Sequence, residues 1–162
     1  MAEQLHPVHS SLPLAAAATI VDQAISVRIS EGLLPLAVAV LDAGGNLVAF
    51  KREDGSGVLR YDIAVGKAAA ALGMGMSSRR IRDRMASRPA FQNALAAAAG
   101  GRFIPVPGGV LILDATGAAI GAVGISGDAS DKDEYCAIVA VKAAGYASEP
   151  AEPNPEWRAA GL

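Results

Sequence analysis

A chain of 162 residues has the length of one domain, and such a chain buries about 70% of the surface its unfolded form exposes. Its formal charge of −2, with 14 Lys and Arg scattered among 16 Asp and Glu, gives no basic field to neutralise phosphates and excludes nucleic acid as an expected partner. The single cysteine, Cys136, excludes an internal disulfide, and charged residues interrupt every apolar run short of the roughly 20 that span a bilayer, so the sequence predicts a cytoplasmic protein with no membrane partner.

Apolar residues make up 52% of the chain but aromatics only 4%, so small side chains must let helices and strands approach closely. The stretch Leu12 to Ile20 follows Glu3 and no Lys or Arg, which marks it as part of a helix and not a signal peptide. From Ser11 to about Ser30 the apolar positions Leu14, Ala17, Ala18, Val21, Ile25 and Ile29 keep helical spacing, and Gly32 ends the helix. Leu36 to Leu41, the turn Asp42-Ala43-Gly44-Gly45-Asn46 and Leu47 to Phe50 read as a β-hairpin. After Glu53-Asp54-Gly55-Ser56-Gly57 an Ala-rich helix runs from about Leu59 to Leu72, with Gly73 and Gly75 as stop signals. Ser77 or Ser78 caps a further helix, and Pro89 opens another that ends at Gly100-Gly101.

A second hairpin follows. Leu113-Asp114-Ala115-Thr116-Gly117 repeats Leu41-Asp42-Ala43-Gly44-Gly45 at an offset of 72 positions, which predicts two Gly-rich hairpins sharing one antiparallel sheet. Asp42 and Asp114 are turn residues. Ser130 is placed to cap the last helix, Ser130 to Tyr146, with Asp133 completing an approximate capping box. Prolines at 150, 153 and 155 disfavour regular structure beyond Ser148. The expected organisation is one domain over residues 1–147 and a Pro-rich extended tail over residues 148–162, anchored by Trp157.

Several segments together resemble the GlcG/HbpS family: Val40-Leu41-Asp42-x-Gly44-Gly45-x-Leu47-Val48-Ala49-Phe50, Arg52-x-Asp54-Gly55, Ile63-Ala64-x-x-Gly66-Lys67-Ala68, Pro107-Gly108-Gly109-Val110, Gly121 to Gly127, and Asp133-Glu134. They span roughly Leu36 to Gly145 in that order. The resemblance implies a profilin-like α/β (α+β) domain that forms homo-oligomers. The family includes haem-binding sensor-associated proteins, a glycolate-operon protein and a domain appended to a corrinoid adenosyltransferase. Glu53 stands where a methionine is common in the family and Asp128 where a small residue is usual, and both add negative charge near the expected pocket.

Lys67 stands out, because the Ala-rich helix around it offers no local partner. It is either a snorkelling side chain or, if buried near a pocket, a base, a Schiff-base nucleophile or an anchor for a carboxylate. Asp133 and Glu134 open the last helix, where they complement its dipole, serve as a general base or bind a cation. Gly108, Gly109 and Gly127 either pack tightly or bring backbone amides up to a ligand, and Arg60 and Tyr61 would shape the same pocket. The expected site thus has Lys67, Asp133 and Glu134 as catalytic residues and Arg60, Tyr61, Gly108, Gly109 and Gly127 as ligand-binding residues. No Cys/His metal signature is present.

Two functions follow, beside a purely structural oligomer in which the Ala-rich helices and the tail with Trp157 would reach a neighbouring subunit. The first is a small-molecule-binding domain of a catabolic pathway, extending to a cofactor-independent enzyme that acts on a small carbonyl or carboxylate compound by proton transfer. Its pocket would lie between the hairpin sheet and the helices carrying Lys67 and Asp133. The alternative is a non-catalytic haem- or tetrapyrrole-binding or sensor-associated protein. Haem needs an axial donor, and the only histidines are His6 and His9 in the N-terminal arm; Tyr61, Tyr135, Met74, Met76 and Cys136 are conceivable substitutes. The arginines from Arg79 to Arg88, interrupted by Asp83 and spread around a helix axis, read as a solvated helix or a subunit contact.

Overall fold

The computed structural model describes residues 4–162. Helix α1 (Leu14–Glu31) leads to strands β1 (Ala37–Asp42) and β2 (Leu47–Arg52), then helices α2 (Arg60–Met74), α3 (Ser78–Met85) and α4 (Pro89–Ala98). Strands β3 (Gly109–Leu113) and β4 (Ala119–Ser126), helix α5 (Ser130–Ala143) and the short strand β5 (Ala147–Glu149) complete the main elements. The two expected hairpins form one antiparallel sheet of order β2-β1-β4-β3-β5, in which β1 pairs with β4.

The repeated Leu-Asp-Ala-x-Gly motif builds the same turn twice. Asp42 Oδ1 accepts the amides of Gly44 and Asn46, and Asp114 Oδ1 accepts those of Thr116 and Ala118. Gly45 at φ 80° and Gly117 at φ 85° take left-handed conformations that only glycine adopts without strain.

Strand periodicity sorts the core onto two faces. Leu36, Val38, Val40, Val110, Ile112, Val123 and Ile125 pack with Ile20, Val21 and Ala24 of α1 and Cys136, Ala137 and Val141 of α5. The other face carries Ala39, Leu41, Leu111 and Ala122 against Ala64, Ala68 and Ala71 of α2. Here glycine is a packing requirement: a Cβ on Gly124 would lie 1.8 Å from the Ala64 carbonyl oxygen, and one on Gly109 would lie 2.3 Å from that of Lys67. Helix α2 therefore rests with its backbone on the sheet.

Three expectations need correction. Helix α2 runs through Gly73 and ends at Met74, with Gly75 at φ 63° as its cap. The last helix is capped at Ala129 with no side-chain bond, so Ser130 is its first residue and not its cap. Asp133 Oδ1 instead accepts the amide of Asp128, the residue before the cap, at 3.0 Å. Regular structure also continues past Ser148, since β5 adds to the edge of β3 with Leu111 opposite Glu149. Trp157, in a 3-10 turn (Trp157–Ala159), stacks on Tyr135 of α5 with ring centroids 3.7 Å apart. Among the described residues no helix is long and apolar enough to cross a membrane.

Candidate functional site

Lys67 leaves α2 on its sheet side, 2% exposed, and reaches the end of the sheet where β4 finishes and β3 begins. Its Nζ donates to the Ile125 carbonyl at 2.8 Å and to Asp133 Oδ2 at 3.0 Å. The snorkelling alternative is thereby overturned: this lysine is sealed inside and paired with a residue on the helix of the opposite face. Asp133 is fully buried, and burial raises its pKa to about 6 against the opposing pull of Lys67 and of the Asp128 and Gly127 amides.

Glu134, the neighbour of Asp133 in sequence, faces a different group. Its carboxylate lies 3.3 Å from Arg79 Nε of α3, yet neither oxygen has a hydrogen-bond partner among the described residues. Burial raises its pKa to about 7, with Arg79 opposing and Asp131 reinforcing the shift. Glu149 of β5 accepts the Ser77 amide and the Ser77 hydroxyl, and pairs with Arg80. The arginines of α3 therefore divide: Arg79 and Arg80 hold carboxylates of α5 and β5, while Arg82 pairs with the adjacent Asp83.

The predicted glycines are occupied by packing. A Cβ on Gly108 would meet Lys67 Nζ at 2.9 Å, and one on Gly127 would meet the Pro35 carbonyl at 2.4 Å. The Gly109 amide donates to Ser78 Oγ at 2.8 Å. The space between sheet and helices, where a pocket was expected, is filled by the α2 backbone and the Lys67–Asp133 pair.

A cleft of about 210 Å³ opens beside this pair, lined by Leu34, Pro35, Gly55, Ser56, Gly57, Arg60 and Gly127. Arg60 Nη1 donates to the buried Ser126 Oγ at 3.2 Å, and other N–H groups of the guanidinium are unused among the described residues. Ser56 Oγ is buried without a partner among the described residues. Two acids, Glu53 and Asp128, both fasten the segment that walls this cleft. Glu53 accepts the Leu36 amide at 2.8 Å and Asp128 the Leu34 amide at 2.9 Å. Their charges are offset by Arg28 and Lys132, at 3.3 and 3.5 Å. Burial works against ionisation of Asp128, but the Leu34 and Ala129 amides outweigh it and lower its pKa.

Tyr61, the last predicted residue, is apart from these. It meets Phe50 edge-on at 4.9 Å and lines a separate cavity of about 540 Å³ with Asp62 and Arg102. His6 and His9 are exposed in the arm, two residues or more before Ser11, which is tied to the Ala43 amide and the Ile120 carbonyl. Cys136 is buried among apolar residues, and burial pushes its thiol up to about 12, an unreactive state. Among the described residues no cluster of three or more His, Cys, Asp or Glu is arranged to hold a metal ion.

The structure thus brings Lys67, Asp133, Gly108, Gly109, Gly127 and Arg60 to one end of the sheet and leaves Glu134 and Tyr61 elsewhere. Sequence reasoning missed Ser56 and Ser126, and it gave Ser78 and Arg79 other roles, a helix cap and a solvated helix or subunit contact. Ser56 carried a signal, a hydroxyl between Gly55 and Gly57 on the strand-to-helix loop.

The family model described as haem degrading protein HbpS-like matches residues 12–142. Among solved structures, a complex of PduOC with haem superposes with a TM-score of 0.76 at 22% identity, covering 85% of this chain and 98% of that one. Klebsiella pneumoniae protein ORFY gives 0.73 at 25% identity, over 90% and 97%. HbpS gives 0.71 at 26% identity, over 86% and 94%. No curated protein matches the chain.

Proposed function

Because the chain belongs to the HbpS-like family, with its profilin-like α/β fold, we propose that it is a small-molecule-binding domain whose ligand is a small carbonyl or carboxylate compound seated in the Arg60–Ser56–Gly127 cleft. The observation that carries this reading is the Ser56 hydroxyl, buried and without a partner among the described residues, in a cleft that Arg60 also lines. Buried hydroxyls are normally hydrogen-bonded, and a carboxylate oxygen would complete both groups at once. A volume of about 210 Å³ suits a ligand of few heavy atoms. In this reading Lys67 and Asp133 are positioning residues. They hold the Gly127–Asp128 backbone that forms the cleft wall, and proton transfer by Asp133 or Glu134 would require that wall to open first.

Calorimetric titration with pyruvate and glycolate tests it. Binding should weaken about 10-fold or more in Arg60→Ala and in Ser56→Ala, the usual effect of removing a hydrogen bond to a charged group. Undetectable binding of both probes, or equal affinities in all three proteins, would overturn the reading.

A second reading, tetrapyrrole binding, rests on the family description and on the exposed His6 and His9. No histidine lines the cavities described above, so an axial nitrogen would come from the arm, with haem seated on the surface beside it. Bound haem would supply its own redox chemistry. A Soret band on haem titration that shifts in His6→Ala or His9→Ala supports this reading, and the spectrum of free haem removes it.

A further inference from the structure

The outer side of α2 carries a groove that the cleft does not share. Three adjoining cavities of about 540, 270 and 240 Å³ run along it, and Arg102 lines all three. Its side chain crosses the groove to donate from Nη2 to the Gly45 carbonyl at 2.9 Å, and it forms no ion pair among the described residues. One donor of a guanidinium that has five is thereby used. The two sides of Arg102 differ in chemistry. The largest cavity contains Asp62, whereas the two smaller ones contain no acid and end among Met74, Leu95 and Phe103.

Gly73 stands on the floor of both smaller cavities, inside α2, where a Cβ would meet nothing within 4 Å. Glycine is the poorest helix former short of proline, and no close approach, turn or positive φ requires it at this position. Its missing side chain keeps the groove open. An enclosed apolar space of roughly 150 Å³ accommodates one benzene ring, so the 240 Å³ end takes a substituted ring or a short alkyl chain.

We propose that this groove is a second binding site, which takes an amphipathic monocarboxylate with its head on Arg102 and its apolar tail between Gly73 and Phe103. The charge fixes the direction, since a carboxylate on the other side of Arg102 would face Asp62. The site shares no residue with the Arg60 cleft, so failure of one leaves the other standing.

Octanoate and phenylacetate, titrated into the full chain and followed by amide NMR shifts, provide the test. Octanoate should shift the amides of Ala69, Gly73, Ala99 and Phe103, and octanamide should bind at least 10-fold more weakly. Arg102→Gln should weaken octanoate at least 10-fold. Gly73→Leu fills the groove with Arg102 and its bond to Gly45 intact, so it should do the same, and this answers the objection that losing Arg102 merely loosens two loops. Equal affinity in both variants, equal binding of the amide, or shifts confined to the residues around Arg60 would each overturn the proposal.

Discussion

Replacing Lys67 by Met removes one member of a pair whose other member, Asp133, is fully buried 3.0 Å away. What remains is a carboxylate held only by the amides of Gly127 and Asp128, and an Ile125 carbonyl without its side-chain donor. Breaking a buried ion pair from one side costs about 3–5 kcal/mol, because the surviving charge stays in a low-dielectric site. That is a large part of the 5–15 kcal/mol typical of a domain. Asp133→Asn alone should be similarly harmful, since it leaves a buried ammonium. The double variant removes both charges and should recover at least about 2 kcal/mol relative to the sum of the two losses. The deficit of Lys67→Met should also shrink between pH 7 and pH 5, where the unpaired Asp133 carboxyl takes up a proton. Guanidinium unfolding of the four proteins followed by circular dichroism gives the cycle. Losses that add to within about 0.5 kcal/mol, or a single loss below about 1 kcal/mol, would refute the pairing and return Lys67 to solvent.

Burial raises Glu134 from 4.5 to about 7, so the folded protein holds a proton there that the unfolded chain has released. Stability should therefore fall as pH rises through that window and level off above it. Glu134→Gln should remove the upper part of this slope and exceed the parent by on the order of 2 kcal/mol at pH 8; the slope that remains belongs to Asp133, between 3.8 and about 6. Identical unfolding midpoints for parent and variant at pH 5 and at pH 8 would contradict it. Gly124→Ala should unfold or precipitate the protein, because its Cβ would lie 1.8 Å from the Ala64 oxygen, while Gly73→Ala should stabilise it by up to about 1 kcal/mol. Melting temperatures in the reverse order would sink the packing account. Trp157→Ala should cost about 3 kcal/mol through loss of its stack on Tyr135, and a change below about 0.5 kcal/mol would mean that the last residues add nothing to the domain.

The hairpins were legible because their turns are written in local chemistry: an aspartate that accepts amides two and four residues on, followed by a glycine with positive φ. The sheet that unites them followed from the repeat. Strand β5 was not legible, because three residues before a proline-rich segment carry no periodicity and pair only because the edge of β3 is open. The same limit applies to the candidate site. Lys67 was conspicuous for its lack of local partners, but the partner it finds is 66 residues away, and no helical spacing announces such a contact. Asp133 and Glu134 are adjacent in sequence and diverge in space because successive helix positions are 100° apart. One turns to α2 and the other to α3. Ser130 misled because a serine before an acidic turn is a good cap in isolation, whereas here Asp128 uses its own carboxylate to hold the Leu34 and Ala129 amides.

The small residues that make the fold also decide where a ligand can sit. With Gly109 and Gly124 under it, α2 lies on the sheet at backbone contact, and the volume that larger side chains would leave irregular is closed. A binding site cannot form between those layers without lifting the helix, so cavities are displaced to its ends and its outer side. At its N-terminal end, the Leu33–Leu36 linker would be free to collapse into the opening if nothing held it. Glu53 and Asp128 fasten it from opposite sides, each accepting one linker amide and each balanced by a basic neighbour. Glu53 and Asp128 therefore act on the shape of the cleft and not on its net charge. A carboxylate entering it meets Arg60, which forms no ion pair among the described residues, so the acids at 53 and 128, each balanced by its own basic neighbour, do not argue against an anionic ligand there.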